Sequence, residues 1–298
     1  MPHKVCVIVN PASGRGSGAR ALPAIRSAFA AVGVSEVRLT SAKGDEAAQA
    51  RRALDEGFET IVACGGDGTW SNVANAILGA GAGHQARLAL VGTGTGNDFA
   101  KTVGAPARDF AATARLAVNG AEKPVDVGKV QGKYFLNVTG FGFDIAVLED
   151  IEHISWLKGD MLYLYSALRQ LFRYPGVELS ITTARRQRDR RRHLMLIIAN
   201  ARNFGGSFKI APAASLTDGK LDAISILDAA PLARMRLFAA ATKGTHVMAP
   251  EVLVEQSAAF TLEFDSPPAF ETDGEYNRAS ERVIQVDCVP NALRIVAP

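Results

Sequence analysis

The chain predicts an α/β fold, with a parallel-sheet domain followed by a β-rich, mainly antiparallel one, and three observations support that prediction. Up to about residue 122, short apolar runs alternate with segments of helical apolar period, the pattern of βα units and so of a parallel sheet flanked by helices in three layers. Beyond Lys123 the texture becomes strand after strand with few helices between, which suits antiparallel pairing. In the first part, the turns leaving the strands are unusually rich in Gly, Asn, Ser and Thr, and in a parallel sheet such turns gather at one edge, where ligands bind.

Val5 to Val9 is a continuous apolar run, stopped by Asn10-Pro11-Ala12-Ser13-Gly14-Arg15-Gly16, after which Ala19 to Val32 carries a helical period. The unit recurs: Glu36 to Thr40 with Glu46 to Leu54, Thr60 to Cys64 with Asn72 to Leu78, and Ala86 to Val91 with the turn Gly92 to Asp98. Phe110 to Val118 is a further helix, stopped at Asn119-Gly120. Strand-like segments then follow at Val125 to Val130, Tyr134 to Thr139, Val177 to Thr183, His193 to Ala199, Lys220 to Leu227, Ala259 to Phe264, Arg282 to Val289 and Leu293 to Val296. Helical inserts are expected from Ile151 to Tyr174 and from Leu232 to Thr242. The expected domains are 1–122 and 123–290, with 291–298 returning to the first sheet and the active site in the cleft between them.

With 298 residues, 48% of them hydrophobic and 21% charged, the chain is long enough for two cores. A net charge of +3 without aromatic-basic interleaving argues against a nucleic-acid partner. Cys6, Cys64 and Cys288 lie in or beside apolar runs without CxxC spacing and read as reduced core residues of a cytoplasmic protein. No leader pattern opens the sequence, and no apolar run approaches the ~20 residues of a membrane span. Membrane contact is therefore expected to be peripheral.

Chemistry concentrates in two loops. Ile61 to Cys64 empties into Gly65-Gly66-Asp67-Gly68-Thr69, and a second strand empties into Gly94-Thr95-Gly96-Asn97-Asp98. Glycine lets backbone N–H groups converge on an anion where a Cβ would obstruct them, and a following helix start adds partial positive charge. An acid such as Asp67 belongs beside phosphates only if a cation stands between, which points to a metal–nucleotide complex.

With Asn10-Pro11-x-Ser13-Gly14, these motifs in this order resemble the diacylglycerol kinase catalytic family, the bacterial lipid kinases related to diacylglycerol, sphingosine and ceramide kinases. The resemblance continues through Asn137, Gly140-Phe141-Gly142-Phe143-Asp144, Asn203-Phe204-Gly205-Gly206, Ile210-Ala211-Pro212-Ala213-Ala214, Asp218-Gly219-Lys220-Leu221-Asp222 and Asp273-Gly274-Glu275, and so spans the whole chain. It departs at Trp70-Ser71-Asn72, where the family has Ile/Leu-Asn-Glu, and at Gly205-Gly206-Ser207, where a Gly-Gly-Gly-like run is shortened.

The resemblance implies ATP contacts at Asn10, Pro11, Ser13 and Gly14, at Thr40, along Gly65, Gly66, Asp67, Gly68, Thr69, Trp70 and Ser71, and at Thr95. The cradle reading adds Gly96, Asn97 and Asp98. The resemblance further implies a magnesium ion on Asp218 with the carbonyls of Ser215 and Lys220, and a nucleotide-borne magnesium near Asp67, which brings that residue into the catalytic set. Asp273 and Glu275 are two apart, a spacing that on an extended segment points both to one face. One can then take the acceptor's proton while the other orients it.

Arg185-Arg186-Gln187-Arg188-Asp189-Arg190-Arg191-Arg192 reads either as a solvated hairpin or as a contact with an anionic leaflet on the inner membrane face, where each arginine contributes about 1 kcal/mol. Trp156, Leu157, Met161, Leu162, Tyr165, Leu168 and Phe172 form a stripe that reads either as a core face or as an acyl-chain entrance. The expected activity is ATP-dependent phosphorylation of a lipid hydroxyl, diacylglycerol to phosphatidate, with the lipid as partner and with monomer and homodimer both open. Two rivals stand beside it. An NAD kinase shares Gly-Gly-Asp-Gly-Thr but not the Asn10 and Gly94 patterns, and a non-catalytic lipid-binding protein would not need Asp67, Asp218, Asp273 and Glu275 together.

Overall fold

A computed structural model describes residues 3–154, 157 and 160–298, with backbone alone at 160 and 163. Strands β1 (Val5–Val9), β2 (Val37–Leu39), β3 (Thr60–Gly65) and β4 (Arg87–Gly92) run parallel in the order β2-β1-β3-β4. Alternation along the strands decides the layers. Val5, Val7 and Val9 pack under helices α1 (Ser13–Ala30) and α5 (Phe110–Asn119), through Ile25, Phe29, Ala114 and Ala117. Cys6 and Ile8 point the other way, toward α2 (Asp45–Asp55) and α3 (Asp67–Gly79), where Ala50, Ala53, Trp70 and Val73 meet them. A short α4 (Asp98–Val103) follows β4.

The second part contains β5 (Glu122–Val130), β6 (Lys133–Phe135), β7 (Val138–Gly142), α6 (Phe143–Glu152), α7 (Asp160–Arg173), β8 (Val177–Thr182), β9 (Gln187–Ala199), β10 (Leu221–Leu227), α8 (Pro231–Ala241), β11 (Val252–Ser257), β12 (Ala259–Phe264), β13 (Ala269–Thr272), β14 (Glu275–Arg278) and β15 (Val283–Val296). Pairing among these strands is antiparallel throughout the described residues. Phe141, Leu196, Ile198, Phe260, Phe264 and Phe270 are among the side chains filling the space inside, while α6, α7 and α8 cover the outer face through Val147, Leu171 and Leu237. β15 is the seam of the molecule. It pairs antiparallel with β12 and β5, shifts register between Val289 and Leu293, and then runs parallel to β4 through Arg294 to Val296.

Several expected elements are corrected. α3 starts at Asp67, five residues before the predicted Asn72, because Asp67 is an acid suited to the positive end of a first turn and Gly66 already supplies the extended entry. The predicted strand from Tyr134 to Thr139 breaks between β6 and β7 at Leu136-Asn137. The single insert expected from Ile151 is two helices, the first beginning at Phe143 inside the Gly-Phe-Gly-Phe-Asp motif. Arg188 to Arg192 belong to strand β9, not to a loop, and lie paired against β8. In the apolar stripe, Met161, Tyr165, Leu168 and Phe172 are exposed, not core; Trp156 lies outside the described residues.

Candidate active site

Three loops of the first domain meet with almost no side chain between them. A Cβ on Gly94 would lie 2.5 Å from the Cα of Gly66, one on Gly14 would lie 2.1 Å from the Thr93 carbonyl oxygen, and one on Gly18 would lie 2.1 Å from the Asn10 carbonyl oxygen. Real Cβ atoms do not approach so closely, so these contacts exist only because the residues are glycines; Gly14 also sits at φ +54°, a conformation that favours glycine. Hydrogen bonds lock the loops together. Asn10 Nδ2 donates to Thr69 Oγ1 at 3.0 Å, Ala12 N–H donates to Asn10 Oδ1 at 3.0 Å, and the hydroxyls of Ser13 and Thr93 are 2.8 Å apart. The result is a backbone-lined floor with the first turns of α3 and α4 aimed over it, which is a site suited to phosphates.

Within this floor the expected contacts divide. Asn10, Pro11, Ser13, Gly14, Gly66, Gly68 and Gly96 are partly open, Thr95 is exposed, Gly65 is buried beneath the floor, and Thr40 is buried at the end of β2 with its N–H donating to the Val9 carbonyl. Trp70 is corrected. It is fully buried, its indole Nε1 donates to the Ala63 carbonyl at 3.0 Å, and it packs in the core beneath α3, so its side chain cannot touch a nucleotide. Ser71 is likewise buried and turned toward Asp273. Asn97, at φ +53°, folds back so that Nδ2 donates to the Gly94 carbonyl at 3.0 Å and shapes its own loop.

The acids serve contacts that spacing alone did not indicate. Asp67 Oδ1 accepts the Phe99 N–H at 3.0 Å and the Asn137 Nδ2 at 3.3 Å, tying α3 to α4 and to the second domain, while Oδ2 lies 3.2 Å from where a Cβ of Gly96 would be. Burial raises its carboxyl above the usual range, opposed by the Phe99 N–H. Asp98 Oδ2 accepts the Gly206 N–H at 2.7 Å, and Lys101 donates both to Asp98 at 3.0 Å and to the Gly206 carbonyl at 2.6 Å. This makes a clasp between the domains. Lys101 stands three residues after Asp98 on α4, so the two side chains share one face of the helix.

Asp273 and Glu275 are not on one extended face. Asp273 (φ +49°) and Gly274 (φ +87°) form the two-residue turn between β13 and β14, with Thr272 paired to Glu275. The Asp273 carboxylate accepts the N–H groups of Leu136 and Asn137 at 2.8 Å each and of Val138 at 3.2 Å, so it caps the break between β6 and β7. Burial pushes its carboxyl up to about 6, against the pull of those donors. Glu275 is freer, 35% exposed, and lies 3.6 Å from the ammonium of Lys43 on the loop after β2, across from the first domain.

Asp218 lies exposed in the turn before β10, where its Oδ1 accepts the Lys220 N–H at 3.1 Å; Ser215 Oγ accepts the Thr217 N–H at 3.4 Å. The same turn is held from below by buried Asp126, which accepts the N–H groups of Gly219 at 2.7 Å and Asn291 at 2.8 Å. Among the described residues no three His, Cys, Asp or Glu side chains converge, so one carboxylate plus backbone carbonyls is the donor set on offer. Such an oxygen-only set suits a hard cation.

A cavity of about 560 Å³ opens beside β14 and α6, with Phe141, Ile145, Tyr174, Val177 and Phe264 in its walls and Arg278 at its rim. α7, which leads into Tyr174, exposes Met161, Leu164, Tyr165, Leu168 and Phe172 along one side. No helix among the described residues is long and apolar enough to cross a membrane. In the arginine strand, Arg188 is paired with Glu255 at 2.7 Å, Arg190 with Asp265 at 2.5 Å and Arg192 with Glu178 at 2.9 Å.

Comparison with known proteins agrees with these motifs. Residues 4–130 match the diacylglycerol kinase catalytic domain, and residues 137–297 match the YegS C-terminal NAD kinase beta sandwich-like domain. A diacylglycerol kinase of Bacillus subtilis (strain 168) is 30% identical over 276 residues, covering 91% of this chain and 89% of the relative. Among solved structures, a protein from Bacillus anthracis str. Sterne superposes with TM-score 0.80 at 23% identity, covering 100% of this chain and 98% of the other. An NAD kinase from Archaeoglobus fulgidus in complex with ATP shares the fold at TM-score 0.57 and 12% identity, covering 98% and 93%. With both halves matched and the motif order intact from Asn10 to Glu275, the chain belongs to the diacylglycerol kinase family.

Proposed function

We propose that this protein is an ATP-dependent lipid kinase that transfers the γ-phosphoryl group to a lipid hydroxyl, with diacylglycerol as acceptor and phosphatidate as product. The observation that carries the reading is the glycine-only contact of Gly66 with Gly94, which brings two helix starts over one floor, with the turn before Glu275 tied to that floor through Asn137, whose N–H donates to Asp273 and whose Nδ2 donates to Asp67. Phosphoryl transfer is chiefly a matter of positioning and charge neutralisation, and backbone N–H groups at helix starts supply both for the triphosphate. Glu275 takes the proton of the acceptor hydroxyl, the acceptor's oxygen bonds to the γ-phosphorus, and the bond from that phosphorus to the β–γ bridging oxygen breaks as ADP leaves with the bridging oxygen. Asp273, committed to three amides, acts instead as the brace that sets the turn.

Magnesium would be held by Asp218 with the carbonyls of Ser215 and Lys220, and when bound would supply positive charge to a turn anchored on Asp126 of β5. A lipid acceptor is favoured by the partly apolar cavity next to β14 and by the exposed stripe of α7, which together suit a protein working at a membrane surface. The arginines of β9 support that role less, since three of the four, Arg188, Arg190 and Arg192, are already engaged in ion pairs. The test is transfer of label from γ-labelled ATP to a panel of diacylglycerol, sphingosine, ceramide and NAD. Label in the first supports the proposal, and label confined to NAD replaces it with a small-molecule kinase.

A further inference from the structure

Gly140 of β7 is paired directly with Glu271 of β13. Paired residues of an antiparallel ladder project to the same face, with Cβ atoms about 5 Å apart. Gly140 has no side chain, and a Cβ there would lie 1.9 Å from Asp144 Oδ2, so the carboxyl carried by the first turn of α6 occupies the place of the missing group. Two carboxyls are thus neighbours over one strand pair. Glu271 is 1% exposed. Glu271 Oε1 is sealed from solvent without a hydrogen-bond partner among the described residues, Glu271 Oε2 accepts the Gly274 N–H at 2.6 Å, and the sealed Asp144 carboxyl has no side-chain donor, only the backbone N–H groups of Asp144 and Ile145 at the start of α6.

Adjacent carboxylates in a dry interior cannot both be charged, because each lacks solvation and repels the other. A single proton between them removes one charge and supplies the missing donor. Burial pushes Asp144 up to about 7 and Glu271 well above the usual carboxylate range, the Asp144 charge adding to the effect of burial on Glu271. Asp273 on the turn acts on Glu271 and Tyr174 after α7 faces Asp144, Arg234 on α8 acts on Tyr174, and the cavity beside β7 and α6 is lined by Glu149, Tyr174, Glu178, Arg192, Asp265 and Arg278. In none of the described hydrogen bonds does one of these donate to either carboxyl.

We propose that Asp144 and Glu271 share one proton as a buried acid pair, and that this pair positions the Asp273–Gly274 turn that presents Glu275. The consequence for catalysis rests on the phosphotransfer reading above; the shared proton does not. With the proton in place, Glu271 is held still and keeps its bond to Gly274. When the proton leaves to solvent, the two charges push α6 and β13 apart, and the turn loses one of its two buried anchors. The sign follows from a raised carboxyl: the stabilisation is full below the ordinary value near 3.8 and is lost as pH rises through about 7.

The infrared spectrum of the unmutated protein should keep a carboxylic-acid carbonyl band at about pH 6 that vanishes by about pH 8. Asp144→Asn and Glu271→Gln should each weaken that band and flatten the fall of Tm between about pH 5 and about pH 8. Absence of the band in the unmutated protein, or Tm curves parallel to those of whichever variant folds, overturns the pair whatever activity the enzyme has. For the positioning role, the hydrogen-exchange protection of the Gly274 amide should drop as pH passes about 7 in the unmutated protein and hold steady in Asp144→Asn. The alkaline decline of kcat should disappear in that variant, with KM for ATP unchanged. Constant protection of Gly274, or a kcat profile identical in variant and wild type, overturns the positioning role alone. If no lipid is phosphorylated at all, the phosphotransfer reading falls, while the band and the Tm curves still decide the pair and the Gly274 amide still decides the positioning of the turn.

Discussion

Asp273 accepts three backbone N–H groups with two carboxylate oxygens, and an amide in its place offers one acceptor and turns an N–H₂ toward donors. Asp273→Asn should therefore destabilise the fold by about 1–3 kcal/mol, the cost of leaving a buried donor unmet, with the loss of turnover tracking the loss of folded protein. Denaturant titration beside activity checks it; a stable but inactive variant would return Asp273 to the chemistry. If Asp218 holds magnesium as proposed, the ion should raise the Tm of the unmutated protein and Asp218→Ala should abolish that rise, since the turn's only carboxylate is gone; an undiminished rise would move the ion elsewhere. The sequence carried part of this. Asp-Gly is a strong two-residue hairpin signal, but the flanking Ala269–Thr272 and Glu275–Arg278 are too short and polar to read as strands, so the sequence alone gives an extended segment where the chain turns. Trp70 misled for a different reason: it sits inside a nucleotide motif, and only the register of α3 shows that its position faces the core.

At the scale of elements, the site depends on two strand-to-helix turns touching backbone to backbone. Gly94→Ala would place a methyl 2.5 Å from the Gly66 Cα, where neither backbone can yield, so β3 and β4 should hold while their turns part. ATP affinity should fall at least tenfold, with Tm lowered by only a few degrees, as calorimetric titration and melting would read. Unchanged affinity would mean that the contact does not shape the site. β1 and β12 were legible to the residue, β1 because a short β-branched apolar run is stopped by Asn10-Pro11 and β12 because buried and open residues alternate strictly. β11 and the first half of β9 were not, because Glu255, Gln256 and four arginines mask segments whose strand character comes from pairing partners far away in sequence. The start of α3 was hidden by its glycines, which are poor helix formers that tertiary contacts override here.

For the whole molecule, function requires that two domains face each other in one arrangement, and polar clasps hold them there. Asp98 and Lys101 grip Gly206, Asn75 exchanges two hydrogen bonds with Tyr134, and Asn137 reaches Asp67. Asp98→Ala should leave the Gly206 N–H unmet and loosen the first clasp, lowering stability by about 1–3 kcal/mol and turnover at saturating ATP by more than that loss alone explains. Equal rates per folded molecule would show that the clasp does not set the cleft. The change in periodicity near residue 122 marks where parallel strands give way to antiparallel ones, but the seam is not legible: β15 pairs with strands on both sides through one register shift at Val289 to Leu293, and nothing local to that segment announces two partners. The most direct measurement of the whole account is the rate of γ-phosphate transfer from ATP to diacylglycerol by Glu275→Gln against wild type, at saturating ATP and lipid. The account expects a fall of about 10² to 10⁴ with ATP affinity unchanged, and turnover at the wild-type rate would contradict it.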